Sequence, residues 1–286
     1  MTIAREITKE KFTSKAKSLS GGQIALIVIA LVYVALVIFI PAINVFAQAF
    51  KNGFGPFFSN FSNRDFRSAI QLTLLIALVC VPLNTAFGLC AAWAIARSRF
   101  RGRALVISIL DLPFSISPVV AGLMIMLLYG RQGWLGGFLE RINLKIVFAT
   151  PGIILATAFI TLPFVAREVI PVLEEMGSEQ EEAARTLGAN DRQIFWRVTL
   201  PNIRWGLLYG VILTNARAMG EFGAVSVVSG NIAGKTQSLP LFVEQAYKQY
   251  DSQAAFSAAV LLGLLAVVTL VAKAIVEQKT QVKEVE

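Results

Sequence analysis

Long apolar runs separated by short polar segments are the dominant pattern of this chain. Most of the runs reach the about 18–20 residues that a helix needs to cross the hydrocarbon core of a bilayer. None alternates polar and apolar residues with a period of two, as the strands of a membrane barrel do. Because only helices and closed barrels satisfy their backbone groups in lipid, the pattern predicts six transmembrane helices. They cover residues 23–49, 68–96, 104–130, 149–170, 203–229 and 253–275.

The predicted fold class is therefore an all-α polytopic membrane protein. A very hydrophobic soluble helical bundle is the alternative, and the contiguity of the apolar runs argues against it. The first run is too long for the apolar core of a signal peptide, and no small-residue cleavage site follows it. We divide the chain into a basic tail (1–22), a first transmembrane helix (23–50), a five-helix transmembrane domain (66–275) and a second tail (276–286).

The distribution of charge predicts how the chain is oriented in the membrane. Only 15% of the 286 residues are charged, whereas an average soluble domain has about 25% charged residues. With six crossings, four basic clusters fall on one side, and the positive-inside rule makes that side, with both termini, cytoplasmic. The orientation in the membrane thus explains the net charge of +8. We expect the chain to contact membrane lipid and not nucleic acid. The clusters lie within residues 5–17, 97–103, 167–204 and 273–283.

The residue types and motifs that are absent from the chain limit the catalytic and metal-binding sites that it could form. The chain has no histidine, and its two cysteines, Cys80 and Cys90, are about 15 Å apart along one predicted helix, which is far beyond disulfide reach. No zinc site, catalytic triad or haem ligand set can be built from such residues. A glycine-rich phosphate loop of the G-x-x-x-x-G-K-S/T type is absent as well. We therefore expect a chain that is not an enzyme, binds no metal or cofactor, and does not hydrolyse ATP itself.

A polar segment between the fourth and fifth predicted crossings carries the signals of two short helices. Ala183, Ala184 and Leu187 form a small apolar face on the first helix. Two alanines on an exposed face allow a partner to approach closely, and Glu182 beside them offers a charged anchor. The boundary signals are a capping box at Ser178 and Glu181, a left-handed end at Gly188, a second capping box at Asn190 and Gln193, and a stop at Pro201.

The same segment resembles the EAA loop of type I ABC-importer permeases. That loop follows the pattern E-A-A, three residues, G, nine residues, I-x-L-P, and valine stands here at the isoleucine position. The resemblance implies a type I ABC-importer permease fold, in which residues 174–202 form a coupling segment that fits a cleft on an ATP-binding subunit. The matching residues are Glu182, Ala183, Ala184, Gly188, Val198, Leu200 and Pro201.

A second resemblance concerns the substrate. Residues 217–250 contain "RAMGEFGAVSVVSGNIAGKTQSLPLFVEQAY", which is similar to sulfate and thiosulfate permease subunits, and closer to the CysW kind than to its CysT partner. The implied function is translocation of sulfate or thiosulfate across a bacterial cytoplasmic (inner) membrane. Molybdate permeases share the G-E-F-G element, so permeases for molybdate, tungstate or phosphate remain alternatives. A multi-spanning membrane enzyme or signalling protein is an alternative from a different class.

The resemblance also implies partners. Two ATP-binding subunits would bind the ATP and Mg that drive transport, and a second homologous permease of the CysT kind would complete the pathway. A periplasmic or extracellular sulfate-binding protein would deliver the anion, because the outer loops of this chain are too short to form a binding domain.

Charged residues within the fifth predicted crossing suggest a substrate pathway. Arg217 lies about midway along it, and Glu221 follows one turn later. A charge at this depth is costly and suggests function by default, although a self-neutralising pair at i and i+4 would need no substrate. Gly220 and Gly223 loosen the helix around the pair.

The third predicted crossing contributes a kink to the same pathway. Pro113, Ser115, Ser117 and Pro118 interrupt its apolar run, and a kink frees backbone groups that a cavity can satisfy. Since the implied substrate is a compact dianion, backbone amides and one guanidinium suit a site through which it passes. Asp111 either keeps the inner half of the passage from being purely cationic or pairs with a neighbouring helix.

Overall fold

The fold is known from a computed structural model that describes residues 20–98 and 100–283, and this part of the chain contains no β-strand. Nearly all of the basic tail 1–22, together with Arg99 and residues 284–286, lies outside the described residues. Contacts divide the chain into two units at Ala47 and Gln48, the first with the N-terminal helix and the second with the rest. The helices before the coupling segment are α1 (Gly21–Ala49), α2 (Phe54–Ser59), α3 (Arg64–Arg97), α4 (Arg103–Ser115), α5 (Pro118–Tyr129), α6 (Gly136–Arg141), α7 (Thr150–Thr161) and α8 (Pro163–Met176).

Helices also form the coupling segment and the C-terminal part of the chain. A π-helical turn lies within α1 at Ala35–Phe39, and another at Phe195–Thr199 connects α10 to α11 without a break. The remaining helices are α9 (Glu179–Thr186), α10 (Asp191–Ile194), α11 (Leu200–Met219), α12 (Gly223–Val228), α13 (Leu239–Lys248) and α14 (Ser252–Lys283).

Four helical segments of the described chain are long and apolar enough to cross a membrane, and a bent pair makes a fifth. The bent pair is α4 with α5, which meet at 106°. The four segments are α1, α3, α7 with α8 (Thr150–Met176), and the part of α14 over Ser252–Val271. These five coincide with five of the six predicted crossings. The predicted crossing at 203–229 is helical over most of its length but is not among them.

Two predicted crossings differ from continuous helices. The crossing at 104–130 is broken, because Ile116 adopts an extended conformation and Pro118 begins a new helix. The crossing at 203–229 ends as a helix at Met219, and the short α12 follows. Proline lacks the N–H that would continue the hydrogen-bond ladder, and glycines at 220 and 223 destabilise a helix that would continue through them because they lose more backbone entropy.

Glycines allow three helices to pack closely in the second unit. A Cβ at Gly88 of α3 would lie 2.7 Å from the Cβ of Val165 in α8. Gly210 of α11 approaches the same residue, where an added Cβ would lie 2.8 Å from the Cα of Val165. Because side chains at these positions would clash, small residues let the backbones touch, as in membrane helix pairs generally. Helix α8 therefore packs closely against both α3 and α11.

A buried amide joins α3 to α7 near the middle of the bundle. Asn84 is 1% exposed and donates from Nδ2 to the carbonyl of Ala158 and to Oγ1 of Thr161, at 3.0 and 2.7 Å. Polar side chains inside a membrane bundle hold helices together in this way, since lipid offers no other partner. Helices α3, α7, α8 and α11 thus form one packed group.

Candidate functional site

The coupling segment begins differently from the predicted capping box. The Oγ of Ser178 lies 2.6 Å from Oε1 of Glu182 and makes no capping bond to the backbone. The carboxylate of Glu181 instead binds the guanidinium of Arg97. The capping box at Ser178 and Glu181 was therefore a wrong prediction, because a charge-assisted bidentate bond in a buried site outcompetes a solvent-exposed cap.

Gly188 ends the first helix as predicted. Its φ is +86°, in the left-handed region that favours glycine. Its N–H donates to the carbonyl of Arg185 at 3.0 Å, and the N–H of Ala189 donates to the carbonyl of Ala184 at 3.1 Å. These two bonds form a Schellman motif, and the prediction of a left-handed helix end is confirmed.

The second helix has the predicted start but not the predicted end. Oδ1 of Asn190 accepts from the N–H of Gln193, and Oε1 of Gln193 accepts from the N–H of Asn190, both at 2.9 Å, so this capping box is confirmed. Pro201 does not stop the helix, because the π-helical turn at Phe195–Thr199 leads directly into α11. In a π-helical turn the N–H groups donate to carbonyls five residues earlier instead of four. This shift changes which carbonyls need a donor, so proline, which has no N–H, is tolerated after the turn.

The predicted docking residues separate into an exposed group and an anchoring group. Glu182 and Ala183 are exposed, and Leu187 beside them has 88% of its surface exposed. Leu200 instead packs against the buried cluster that contains Leu173 of α8. The segment therefore presents a small apolar and acidic face outward, while its C-terminal end is held by the bundle.

The predicted pathway pair is formed. Nη1 of Arg217 lies 2.6 Å from Oε2 of Glu221, a contact that has the distance of an ion pair but not hydrogen-bond geometry. The Glu221 side chain has no exposed surface, whereas that of Arg217 is 34% exposed. Oε1 of Glu221 also accepts from the N–H of Ala224 at 2.9 Å. Glu221 thus links the end of α11 to the start of α12.

The two helix breaks lie next to each other. A Cβ at Gly223 would lie 2.7 Å from the Cβ of Pro118, and one at Gly122 would lie 2.7 Å from the carbonyl oxygen of Ala224. This close approach requires glycine at both positions. Ser115 and Ser117 flank the break between α4 and α5 and are exposed.

Two further predicted residues are placed apart from this contact. Gly220 has a negative φ, and an added Cβ would make only an ordinary contact, 3.5 Å from the carbonyl oxygen of Ala216, so its conformation does not require glycine. Asp111 accepts two hydrogen bonds from Arg167 of α8, at 2.9 and 3.1 Å, and Arg167 lies over the ring of Phe114. Of the two roles considered for Asp111, the structure therefore shows pairing with a neighbouring helix.

Sequence reasoning missed the contacts of Arg97 and Thr199. Both bind the carboxylate of Glu181, yet they lie 84 and 18 residues from it along the chain. No helical spacing or motif connects residues so far apart. Within residues 20–98 and 100–283, no group of three or more His, Cys, Asp or Glu side chains is arranged to hold a metal ion.

Comparison with known proteins identifies the family. Residues 84–282 match the family described as the binding-protein-dependent transport system inner membrane component. The chain belongs to this family. It is 68% identical over 255 residues to the sulfate transport system permease protein CysW of Synechocystis sp., covering 89% of this chain and 92% of the relative. It is 39% identical over 238 residues to the sulfate transport system permease protein CysT of Salmonella typhimurium, covering 82% and 86%.

The fold has solved counterparts. A crystal structure of a bacterial ABC transporter involved in the import of the acidic polysaccharide alginate matches with a TM-score of 0.76 and 16% identity, covering 98% of this chain and 99% of that one. At this identity the likeness concerns the fold alone. Together with the family, it confirms an all-α ABC-importer permease fold and a non-catalytic inner membrane component. Family membership also excludes the alternative of a membrane enzyme or signalling protein.

Proposed function

We propose that this chain is the permease subunit of an ATP-driven importer that carries sulfate or thiosulfate across the cytoplasmic membrane. The observation that carries the proposal is the 68% identity to a relative named as a sulfate permease. That alignment covers 89% of the chain, so it includes the coupling segment and both helix breaks. Such identity supports a shared substrate more strongly than the fold does, since one fold serves many functions.

The anion would pass where the two helix breaks meet. Broken helices leave backbone groups free to face a polar substrate, as in many transporters. Arg217 provides a guanidinium, and its contact with Glu221 at 2.6 Å partly neutralises it. A partly neutralised guanidinium and a few polar groups, including the hydroxyls of Ser115 and Ser117, would bind a dianion weakly enough to release it. A strongly basic pocket would retain it.

The coupling segment would transmit conformational changes of an ATP-binding subunit to the membrane helices. Glu182, Ala183 and Leu187 lie on the exposed side of the segment, where a cleft on an ATP-binding subunit can cover them. Ala184 and the turn at Gly188 set the shape of this face, while Leu200 and Pro201 connect it to α11. Two such subunits would bind ATP and Mg, with no cofactor in this chain, and closure of the pair would rock the bundles between two openings.

The remaining partners follow from the family and its relatives. A second permease is supported by the 39% identity to a CysT protein, which indicates that the two kinds of subunit are homologous. The family is named for its dependence on a binding protein, which would deliver the anion to the outer openings. The distribution of the basic clusters supports an orientation in which the coupling segment and both termini face the cytoplasm.

The test is uptake of radiolabelled sulfate into proteoliposomes that contain this chain with its second permease, ATP-binding subunits and binding protein. We expect uptake that requires ATP on the coupling-segment side and that unlabelled sulfate or thiosulfate inhibits. Stronger inhibition by molybdate, tungstate or phosphate than by sulfate would assign the permease to that oxyanion instead. An assembled complex that hydrolyses ATP but takes up none of these anions would contradict the proposal.

A further inference from the structure

A buried ion pair joins the coupling segment to α3. Arg97, the last residue of α3, donates from Nε and Nη2 to the two carboxylate oxygens of Glu181, at 2.8 and 3.1 Å. Its Nη1 donates to the carbonyl of Leu173 at 2.8 Å. Oγ1 of Thr199 donates to Oε1 of Glu181 at 2.7 Å. One guanidinium and one carboxylate thus connect α3, α8, α9 and the turn before α11.

This pair is the buried contact of α9 with the bundle. Glu181 is the single buried residue of α9, and the side chains of Arg97 and Glu181 are 13% and 12% exposed. The next residue, Glu182, lies at the surface. Since α9 contributes no apolar side chain to the core, polar contacts hold it in position. These are the buried ion pair and an exposed hydrogen bond of 2.7 Å that Nδ2 of Asn202 in α11 donates to Oε1 of Gln180. A bidentate arginine–carboxylate contact fixes orientation as well as distance.

Helix α3 extends from this pair to the opposite end of the bundle. Near its start, Oγ1 of Thr73 accepts from the N–H of Leu239 at 2.8 Å. Near its middle, Asn84 binds α7. Helix α3 has 34 residues and is hydrogen-bonded to other parts of the bundle near its start and its middle, so it forms a continuous path from Glu181 to the far end of the bundle.

We propose that Arg97 is a positioning residue that transmits the movement of α9 to the membrane bundle, so that loss of its contact with Glu181 separates ATP hydrolysis from transport. The proposal rests on the proposed function, because it requires an ATP-binding subunit on the coupling segment. Arg97 is not part of the exposed docking face, so its loss leaves that face chemically unchanged.

The experiment measures sulfate imported per ATP hydrolysed by the complete complex in proteoliposomes. For Arg97→Gln and Glu181→Gln we expect a ratio about tenfold lower than that of the wild type, because a buried charge pair is broken. Arg97→Lys should give an intermediate ratio, since lysine keeps the charge but cannot bridge the carboxylate and the Leu173 carbonyl. Arg103→Gln is the matched control. It breaks the exposed pair of Arg103 with Glu174 and the hydrogen bond from Nε of Arg103 to the carbonyl of Ile95 at the same end. Because it leaves Arg97 and Glu181 in contact, the ratio should be unchanged.

The outcomes separate positioning from stability. If import and hydrolysis fall together at a constant ratio, Arg97 only stabilises the complex and the proposal is wrong. If Arg97→Gln does not assemble, the double variant Arg97→Met with Glu181→Met decides, because removing both buried charges spares the fold. A low ratio in the assembled double variant supports the proposal, and a normal ratio overturns it. A wild-type complex without ATP-driven import would instead contradict the proposed function.

Discussion

At the scale of single residues, burial separates two ion pairs that share one sequence spacing. Arg217 with Glu221 and Lys248 with Glu244 are both charged pairs four residues apart on or beside a helix. The Lys248 side chain is 70% exposed, whereas Glu221 has no exposed side-chain surface. An exposed pair contributes about 0–1 kcal/mol, while breaking a buried pair costs about 3–5 kcal/mol. The sequence spacing alone does not distinguish these cases.

Variants of the buried pair test whether Arg217 meets the anion. Glu221→Gln should keep much of the sulfate uptake, because glutamine still accepts from the N–H of Ala224. Arg217→Leu, alone or combined with Glu221→Gln, should abolish uptake if the guanidinium contacts the anion. If Arg217 only neutralises Glu221, the double variant should transport, since it leaves no buried charge unpaired. Uptake is measured in assembled complexes, with Lys248→Ala as the control that removes an exposed pair.

At the scale of elements, prolines have two different outcomes. Pro41 and Pro201 each follow a π-helical turn by two residues, and the helix continues through both. Pro118 instead begins a new helix after a 106° bend. A proline removes one backbone donor in each case. The presence of a proline does not by itself determine whether the helix widens by one residue or breaks, which explains why Pro201 was taken for a stop.

The turn at Gly188 gives a test at this scale. Gly188→Val forces a β-branched residue into φ of +86°, and the left-handed conformation costs a non-glycine residue about 1–2 kcal/mol or more. No atom lies within 4 Å of an added Cβ, so the effect comes from the backbone alone. We expect weaker retention of the ATP-binding subunit and reduced uptake, both measured on purified complexes.

Gly188→Asn is the matched control for this turn. Asparagine tolerates the left-handed region, so it should retain the subunit and transport at close to wild-type levels. Equal loss in both variants would show that the added side chain, and not the backbone conformation, disturbs docking.

At the scale of the whole molecule, polar contacts connect the helices at both ends of the bundle as well as near its middle. At one end Arg97, Glu181 and Thr199 are hydrogen-bonded. At the other end the N–H of Phe148 donates to the carbonyl of Val228, and Leu239 binds Thr73. Large apolar side chains are exposed between them, among them Leu78 and Leu127, where lipid or the second permease would cover them.

Thiol labelling tests which end faces the cytoplasm. Single cysteines at Arg185 or Arg192 of the coupling segment, and at Asn143 or Lys235 of the opposite end, occupy exposed positions. In intact cells with a permeabilised outer membrane, a membrane-impermeant reagent should modify only the last two. The background variant lacks Cys80 and Cys90. All four positions should react after the inner membrane is opened, and labelling at Arg192 in intact cells would reverse the topology.

Local signals of the sequence predicted the class of fold and most of the coupling segment. Apolar run length requires membrane helices because lipid cannot satisfy a free backbone. The left-handed end at Gly188 and the cap at Asn190 were predicted because each depends on residues within one or two turns. The predicted spans also identified five segments that are long and apolar enough to cross a membrane, and the kink predicted at residues 113–118 coincides with the 106° bend.

Contacts between distant residues depended on the tertiary structure. Glu181 has the sequence context of a capping residue, yet it binds Arg97 because folding buries it beside a guanidinium 84 positions away. Pro118 and Gly223 bring the two helix breaks together across more than a hundred residues. Chain sequence specifies local backbone preferences directly, but the partner of a buried charge is chosen by the packing that removes water from both groups.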